Sequence, residues 1–226
     1  MEIFLGALVN SLAIIIGSLI GYLSKKKMND RLNNLLLSTV GIVVIGLGIK
    51  DVIQSNEIIL VLVSLVLGAL IGELLKLDLL VEKLTKRFVK SDSPSFHEGI
   101  ITSTLIFCIG AMTILGAVQS GTGRGHSILY TKSIIDAITA SVLCATIGIG
   151  VLFSSIPTLI YTSIFVIIAS TLENVFTDEL LVEFSAVGGV ILIAIALSSL
   201  LKIKDIKVIN LIPSLIIIVL LFLLFK

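Results

Sequence analysis

Lys132 and Asp136 stand four residues apart, and just upstream runs Gln119-Ser120-Gly121-Thr122-Gly123-Arg124-Gly125-His126. Opposite charges at that spacing share one helical face, where they can neutralise each other or receive a charged or dipolar solute. Glycines at alternate positions free the backbone to aim successive N–H groups at one point as an anion-binding nest, with Arg124 and His126 adding charge and hydrogen bonds. Asn10 falls at a comparable depth in a distant apolar run. Asn10, Gln119, Gly121, Gly123, Arg124, Lys132 and Asp136 therefore make up the candidate binding set, an outward-facing polar vestibule for a small solute or ion. Two plainer readings stand beside it. The glycine stretch also suits a flexible outer loop, and Lys132 with Asp136 also suits a structural ion pair at the membrane interface.

Enzyme chemistry finds no comparable constellation. His97 and His126 sit at or beyond the ends of apolar runs, and His-Glu-x-x-His, Gly-x-Ser-x-Gly and Walker A patterns are all missing from the chain. Cys108 and Cys144 lie inside apolar runs without CxxC or Cys/His spacing, so they read as small packing residues. No enzymatic activity, cofactor or metal is expected.

The elements that must carry these residues follow from composition. Of 226 residues 57% are hydrophobic and 14% charged, and mean hydropathy is +1.20. No soluble domain of this size hides that much apolar surface, so the bilayer must be the solvent. A net charge of +1 offers no basic field for nucleic acid. Runs at 3–23, 35–49, 58–75, 100–118, 133–153, 157–172, 184–201 and 208–225 predict an all-α bundle of about eight spans forming a single transmembrane domain. The fifth and sixth runs, separated by Ser154, Ser155 and Ile156, suit either a helical hairpin or one broken span. On these boundaries Asp136 enters only about one turn deep. No charge then reaches a span's midpoint, which weighs against a proton carrier.

Cations in the connections divide 12 to 4 between the two sides, placing the cation-rich side in the cytoplasm and both termini outside. The first run lacks a basic leader and is followed by Lys25-Lys26-Lys27, so it is expected to stay as an anchor. Glu73 is expected to pair with Lys76 or to meet headgroups. Residues 76–96, with Leu79, Leu80, Val81, Leu84 and Phe88 at helical spacing among charges of both signs, read as an amphipathic cytoplasmic connector that meets lipid or simply bridges spans.

Small residues mark helix contacts. Gly6, Asn10, Ala13, Gly17 and Gly21 share one face, as do Ser64, Gly68 and Gly72, and again Ala137, Ser141, Ala145 and Gly148. Such faces let backbones approach closely within a protomer or between copies. Residues 38–43 match 185–190, which suggests an inverted repeat of spans one to three in spans six to eight.

Gly6-Ala7-Leu8-Val9-Asn10 with Gly17 and Gly21, the stretch from Cys108 to Gly121, Lys132-Ser133-Ile134-Ile135-Asp136 and Asn210-Leu211-Ile212-Pro213 together resemble the YqgA/YdfK-like family of bacterial membrane proteins. The resemblance spans the whole chain. It implies a bacterial plasma membrane and a multi-span fold, and it assigns no substrate or site. A transporter or channel for a small solute or ion is the expectation. The alternative is a non-transporting scaffold or sensor that binds a partner or lipid through residues 76–96.

Overall fold

The computed structural model describes residues 2–25, 29–88, 93–171 and 177–225. Among them all regular structure is helical: α1 (Leu5–Ser24), α2 (Asp30–Ile53), α3 (Ile58–Leu75), α4 (Leu77–Phe88), α5 (Pro94–Ile109), α6 (Ala111–Gly121), α7 (Ser127–Thr146), α8 (Gly150–Phe153), α9 (Ser155–Thr171), α10 (Asp178–Ile195) and α11 (Ser214–Phe225). Seven stretches are long and apolar enough to cross a membrane, and the pair α5–α6, bent by 59°, raises the number to as many as eight. This is a multi-pass membrane protein, with backbone polar groups paired inside helices as hydrocarbon requires.

Several boundaries differ from those read in the sequence, the seventh span among them, which starts at Asp178 rather than residue 184. The second span starts at Asp30 rather than residue 35, because Asn29 Oδ1 accepts the Leu32 N–H at 2.9 Å and caps the helix early. The fifth begins at Ser127 rather than Ser133 and ends at Thr146. Lys132 interrupts the apolar run without ending the helix, since Asp136 neutralises it one turn on. The chain reverses at Gly148, whose φ of +137° is open to glycine. Gly150–Thr171 is then a separate span, with Pro157 in the first turn of α9.

The chain forms two compact units. The first comprises Met1–Val40, Ser93–Cys108 and Met112–Thr177, and the second Gly41–Asp92, Ile109–Ala111 and Asp178–Lys226. In the first, α1 and α7 touch backbone to backbone. A Cβ on Gly17 would lie 2.1 Å from the Ala137 carbonyl oxygen, and one on Gly21 would lie 2.0 Å from that of Ser141. Positions rise together along both helices, so they run parallel. On another side of α1, Ser11 Oγ donates to the Ser155 carbonyl at 3.1 Å.

In the second unit α3 meets α11 and the turn before it, with Gly68 against Ser214 and Gly72 against Asn210. There one index rises as the other falls, an antiparallel contact. Gly48 meets Gly189 and Gly41 meets Leu201, so α2 and α10 are antiparallel too. The span built on α10 is 78% buried and forms this unit's core. The inverted repeat is not confirmed. Gly41 abuts the Leu201 side chain whereas Gly188 abuts the Ile109 carbonyl, so the matching segments occupy unlike contacts.

Candidate functional site

Close approach of α1 and α7 brings Asn10, Lys132 and Asp136 together. The Lys132 ammonium forms a short ion pair with Asp136 Oδ2. Asn10 Nδ2 donates to the same oxygen at 3.0 Å. Asn10, Lys132 and Asp136 are 1%, 4% and 5% exposed, so three polar side chains are withdrawn into an apolar seam. Beneath them the buried Phe107 ring lies 5.8 Å from Lys132 Nζ, near enough for a cation–π contact. Asp136 stands nine residues after Ser127 and ten before Thr146, about 14 Å along the helix from one end and about 15 Å from the other. The expectation of an acid about one turn deep is therefore corrected: once α7 begins at Ser127, a buried carboxylate occupies midspan.

Gln119 serves a different purpose. Its Oε1 accepts the Ile128 N–H at 3.1 Å and its Nε2 donates to Ser127 Oγ at 3.0 Å, capping the start of α7 from the end of α6. His126 Nδ1 meets Ser120 Oγ at 2.9 Å and braces the same loop. Gly123 and Gly125 have φ of +71° and +95°, which turns the chain out of α6. The N–H groups of Thr122, Gly123 and Arg124 donate to the carbonyls of Val118, Ser120 and Gln119. They close the end of α6 and are not turned outward together. Gly121 packs α6 on α9, since a Cβ there would lie 2.4 Å from the Val166 carbonyl oxygen. Of the seven candidate residues, Asn10, Lys132 and Asp136 converge, while Gln119, Gly121, Gly123 and Arg124 build the loop that positions α7.

The unit around the cluster holds many polar groups. Thr113 Oγ1 donates to the Phe107 carbonyl at 2.8 Å, satisfying backbone freed by the bend between α5 and α6. Cys108 Sγ lies 3.8 Å from Thr158 Oγ1. Among the described residues, seven buried side-chain atoms have no hydrogen-bond partner in the protein: Asn10 Oδ1, Ser18 Oγ, Asn33 Oδ1, His97 Nε2, Thr104 Oγ1, Tyr161 OH and Thr162 Oγ1. All seven belong to the first unit. A concentration of unsatisfied polar atoms calls for water or a ligand. No group of three His, Cys, Asp or Glu side chains among the described residues is placed to hold a metal ion.

Sequence reasoning missed one polar centre in the second unit and gave another the wrong partner. Glu183, 1% exposed, accepts from Ser55 Oγ at 2.5 Å and from the N–H groups of Asn56 and Glu57 at 2.8 and 3.1 Å, capping the entry to α3. The only sequence hint is its position as the last acid before the apolar run of α10. Glu73 pairs with Lys207 at 3.0 Å and accepts from Asn210 Nδ2 at 2.8 Å, rather than pairing with Lys76. Asn210 Oδ1 also takes the Asp78 N–H at 2.9 Å, tying α4 to α3. The Glu73 carboxylate, by hydrogen bond and charge, raises the Lys207 pKa above its ordinary value.

A family profile described as "Protein of unknown function (DUF554)" matches residues 5–223. An uncharacterized membrane protein YdfK of Bacillus subtilis (strain 168) is 34% identical over 216 residues, covering 94% of this chain and 93% of the relative. An uncharacterized protein YqgA of Escherichia coli (strain K12) is 31% identical over 219 residues, covering 93% of each. No solved structure matches the chain.

Proposed function

We propose that this chain, which belongs to the DUF554 family, moves a small solute or ion across the bacterial plasma membrane. One observation carries the reading: the buried Lys132–Asp136–Asn10 cluster at the midspan of α7. Ionisable groups at that depth are costly to keep and occur where solutes or ions pass. The unpaired polar atoms of the same unit support a hydrated interior, and a bent pair such as α5–α6 is the kind of element that exposes backbone to a solute.

Helix directions support eight crossings. Parallel contact of α1 with α7 requires an odd number of crossings between them, and α2, α3 and the bent pair supply three only if that pair counts as one. Both termini then share a side, and the cation distribution favours the exterior. Reporters fused after Lys226 and within 76–88 should therefore respond from opposite faces; both responding from the cytoplasm would remove a crossing.

The scaffold reading rests on α4. Its exposed Leu79 and Leu80 beside Lys83 suit a helix lying among lipid headgroups, which leaves a protein partner unnecessary. To test transport, purified protein in vesicles on a solid-supported membrane is challenged with sodium, potassium, phosphate, acetate and glycine. At least one probe should evoke a current that falls at least about tenfold in Asp136→Asn, the loss expected when a charged contact in the path is removed. Silence with every probe, at verified protein density, would put the scaffold reading ahead of transport.

A further inference from the structure

We propose that Asp136 is a proton-exchanging carboxylate and that Lys132 is its tethered counter-cation, so that the site couples solute movement to a proton. This deepens the transport reading and rests on it. The geometry that points there is the shared oxygen. Lys132 Nζ and Asn10 Nδ2 both donate to Asp136 Oδ2, while Asn10 Oδ1, buried beside them, accepts nothing.

When Asp136 takes a proton from hydronium, one O–H bond of the hydronium breaks to leave water and one forms on the carboxylate, which loses its charge, and the ion pair with Lys132 breaks. Lys132 keeps its three N–H protons and its charge. The new acid O–H and the released ammonium both then seek an acceptor, and the amide of Asn10 holds one in reserve. Turned about its terminal torsion, Asn10 offers Oδ1 in place of Nδ2. One side chain thus serves the carboxylate as donor and the acid as acceptor. A merely structural ion pair has no use for that spare acceptor. A cationic or dipolar solute would compete with Lys132 for the carboxylate, which links its arrival to the protonation state.

Titratable and charged groups besides the cluster lie on several elements of the unit, Tyr130 on α7 among them. α1 brings Tyr22, followed by Lys25, toward the Cys144 end of the seam. α5 carries Cys108 and, near its start, His97 and Glu98, while the loop before α7 carries Arg124 and His126, and α9 carries Tyr161. Within α1, α7 and α9, Asp136 is the only acid.

The test is infrared difference spectroscopy of the purified full chain in lipid nanodiscs, following the protonated-carboxyl band as pH is lowered. Wild type should gain a band that Asp136→Asn lacks. In Lys132→Met the band should persist to a pH higher by about one unit or more, because the opposing charge that favours the carboxylate is gone. Identical spectra for wild type and Asp136→Asn overturn the proposal, as does an unmoved midpoint in Lys132→Met. Should Asp136→Asn not fold, the Lys132→Met midpoint decides alone. The readout needs no solute, so the two readings separate. A responding band without any probe current keeps the proton site and removes transport, whereas a probe current without the band keeps transport and removes the proton site.

Discussion

Gly17-Ser18-Leu19-Ile20-Gly21-Tyr22-Leu23 in α1 and Gly68-Ala69-Leu70-Ile71-Gly72-Glu73-Leu74 in α3 share one pattern, yet they serve unlike interiors. In each, two glycines a turn apart admit a partner backbone where no Cβ would fit. α1 thereby meets α7 in parallel, and the seam encloses Asn10, Lys132 and Asp136 in a unit that also holds polar atoms without protein partners. α3 meets α11 in an antiparallel contact, and the polar centres near its ends, Glu183 and Asn210, spend their hydrogen bonds on holding neighbouring segments. Close packing is therefore common to both units. Among the described residues, the buried side-chain atoms without a protein partner all lie in the first unit, which fits the proposal that places the working site there.

The largest effects should come from the glycines that both units share. Gly17→Leu and Gly72→Leu each drive a side chain into a carbonyl at about 2 Å, an overpacking cost of about 3 kcal/mol or more. Both should abolish recovery of folded protein by size-exclusion chromatography. Tolerance of either change would show that its seam is looser than the other.

Next in size is the buried cap. Glu183→Ala removes the carboxylate that accepts from Ser55 Oγ and from the Asn56 and Glu57 N–H groups, leaving Glu57 N–H its bond to Ser55 Oγ, and should cost about 3 kcal/mol, read as a lowered Tm in detergent. Glu183→Gln keeps an acceptor and should recover part of that loss. Neither change should alter the infrared carboxyl band assigned to Asp136. If it did, the second unit would not be separable from the site.

Asp136→Asn keeps most contacts but leaves the buried Lys132 ammonium opposite a neutral amide, so it should cost about 3 kcal/mol as well, and adding Lys132→Met, which removes that charge, should recover most of the loss. A double variant as unstable as Asp136→Asn alone would reclassify the cluster as structural and erase the contrast between the units. The double change Lys132→Asp with Asp136→Lys sharpens the point. A structural pair tolerates the swap, whereas a solute path should lose or invert its selectivity.

The smallest effect concerns Lys207. Its pKa is raised by Glu73, so the contribution of this pair to stability is complete below the ordinary lysine range and is lost as pH rises through the elevated value. The pair is solvent-exposed, so Lys207→Met should shift Tm only slightly near neutrality, and the difference from wild type should vanish at strongly alkaline pH. A large shift would mean that α4 and α11 depend on this contact more than on the Asn210 bridge.

Much of this arrangement could be read along the chain. The small-residue faces on α1, α3 and α7 became the backbone contacts, because only residues lacking bulk permit that approach. The candidate site was legible in part. The four-residue spacing of Lys132 and Asp136 sufficed to pair them, while the glycine stretch suited an anion nest or a plain loop, and its Thr122, Gly123 and Arg124 N–H groups are committed to the end of α6. Depth was misjudged because a hydropathy run stops at a lysine, whereas a helix whose lysine is neutralised continues through it.

The sequence by itself determined that this is a many-span helical membrane protein, since hydropathy adds up locally and the bilayer leaves few other ways to satisfy a backbone. Which polar groups meet was decided only by tertiary structure. Asn10 reaches Asp136 across 126 positions and Ser55 reaches Glu183 across 128. Those partnerships follow from which glycine faces pack and in which direction, a long-range outcome that no local window of residues contains.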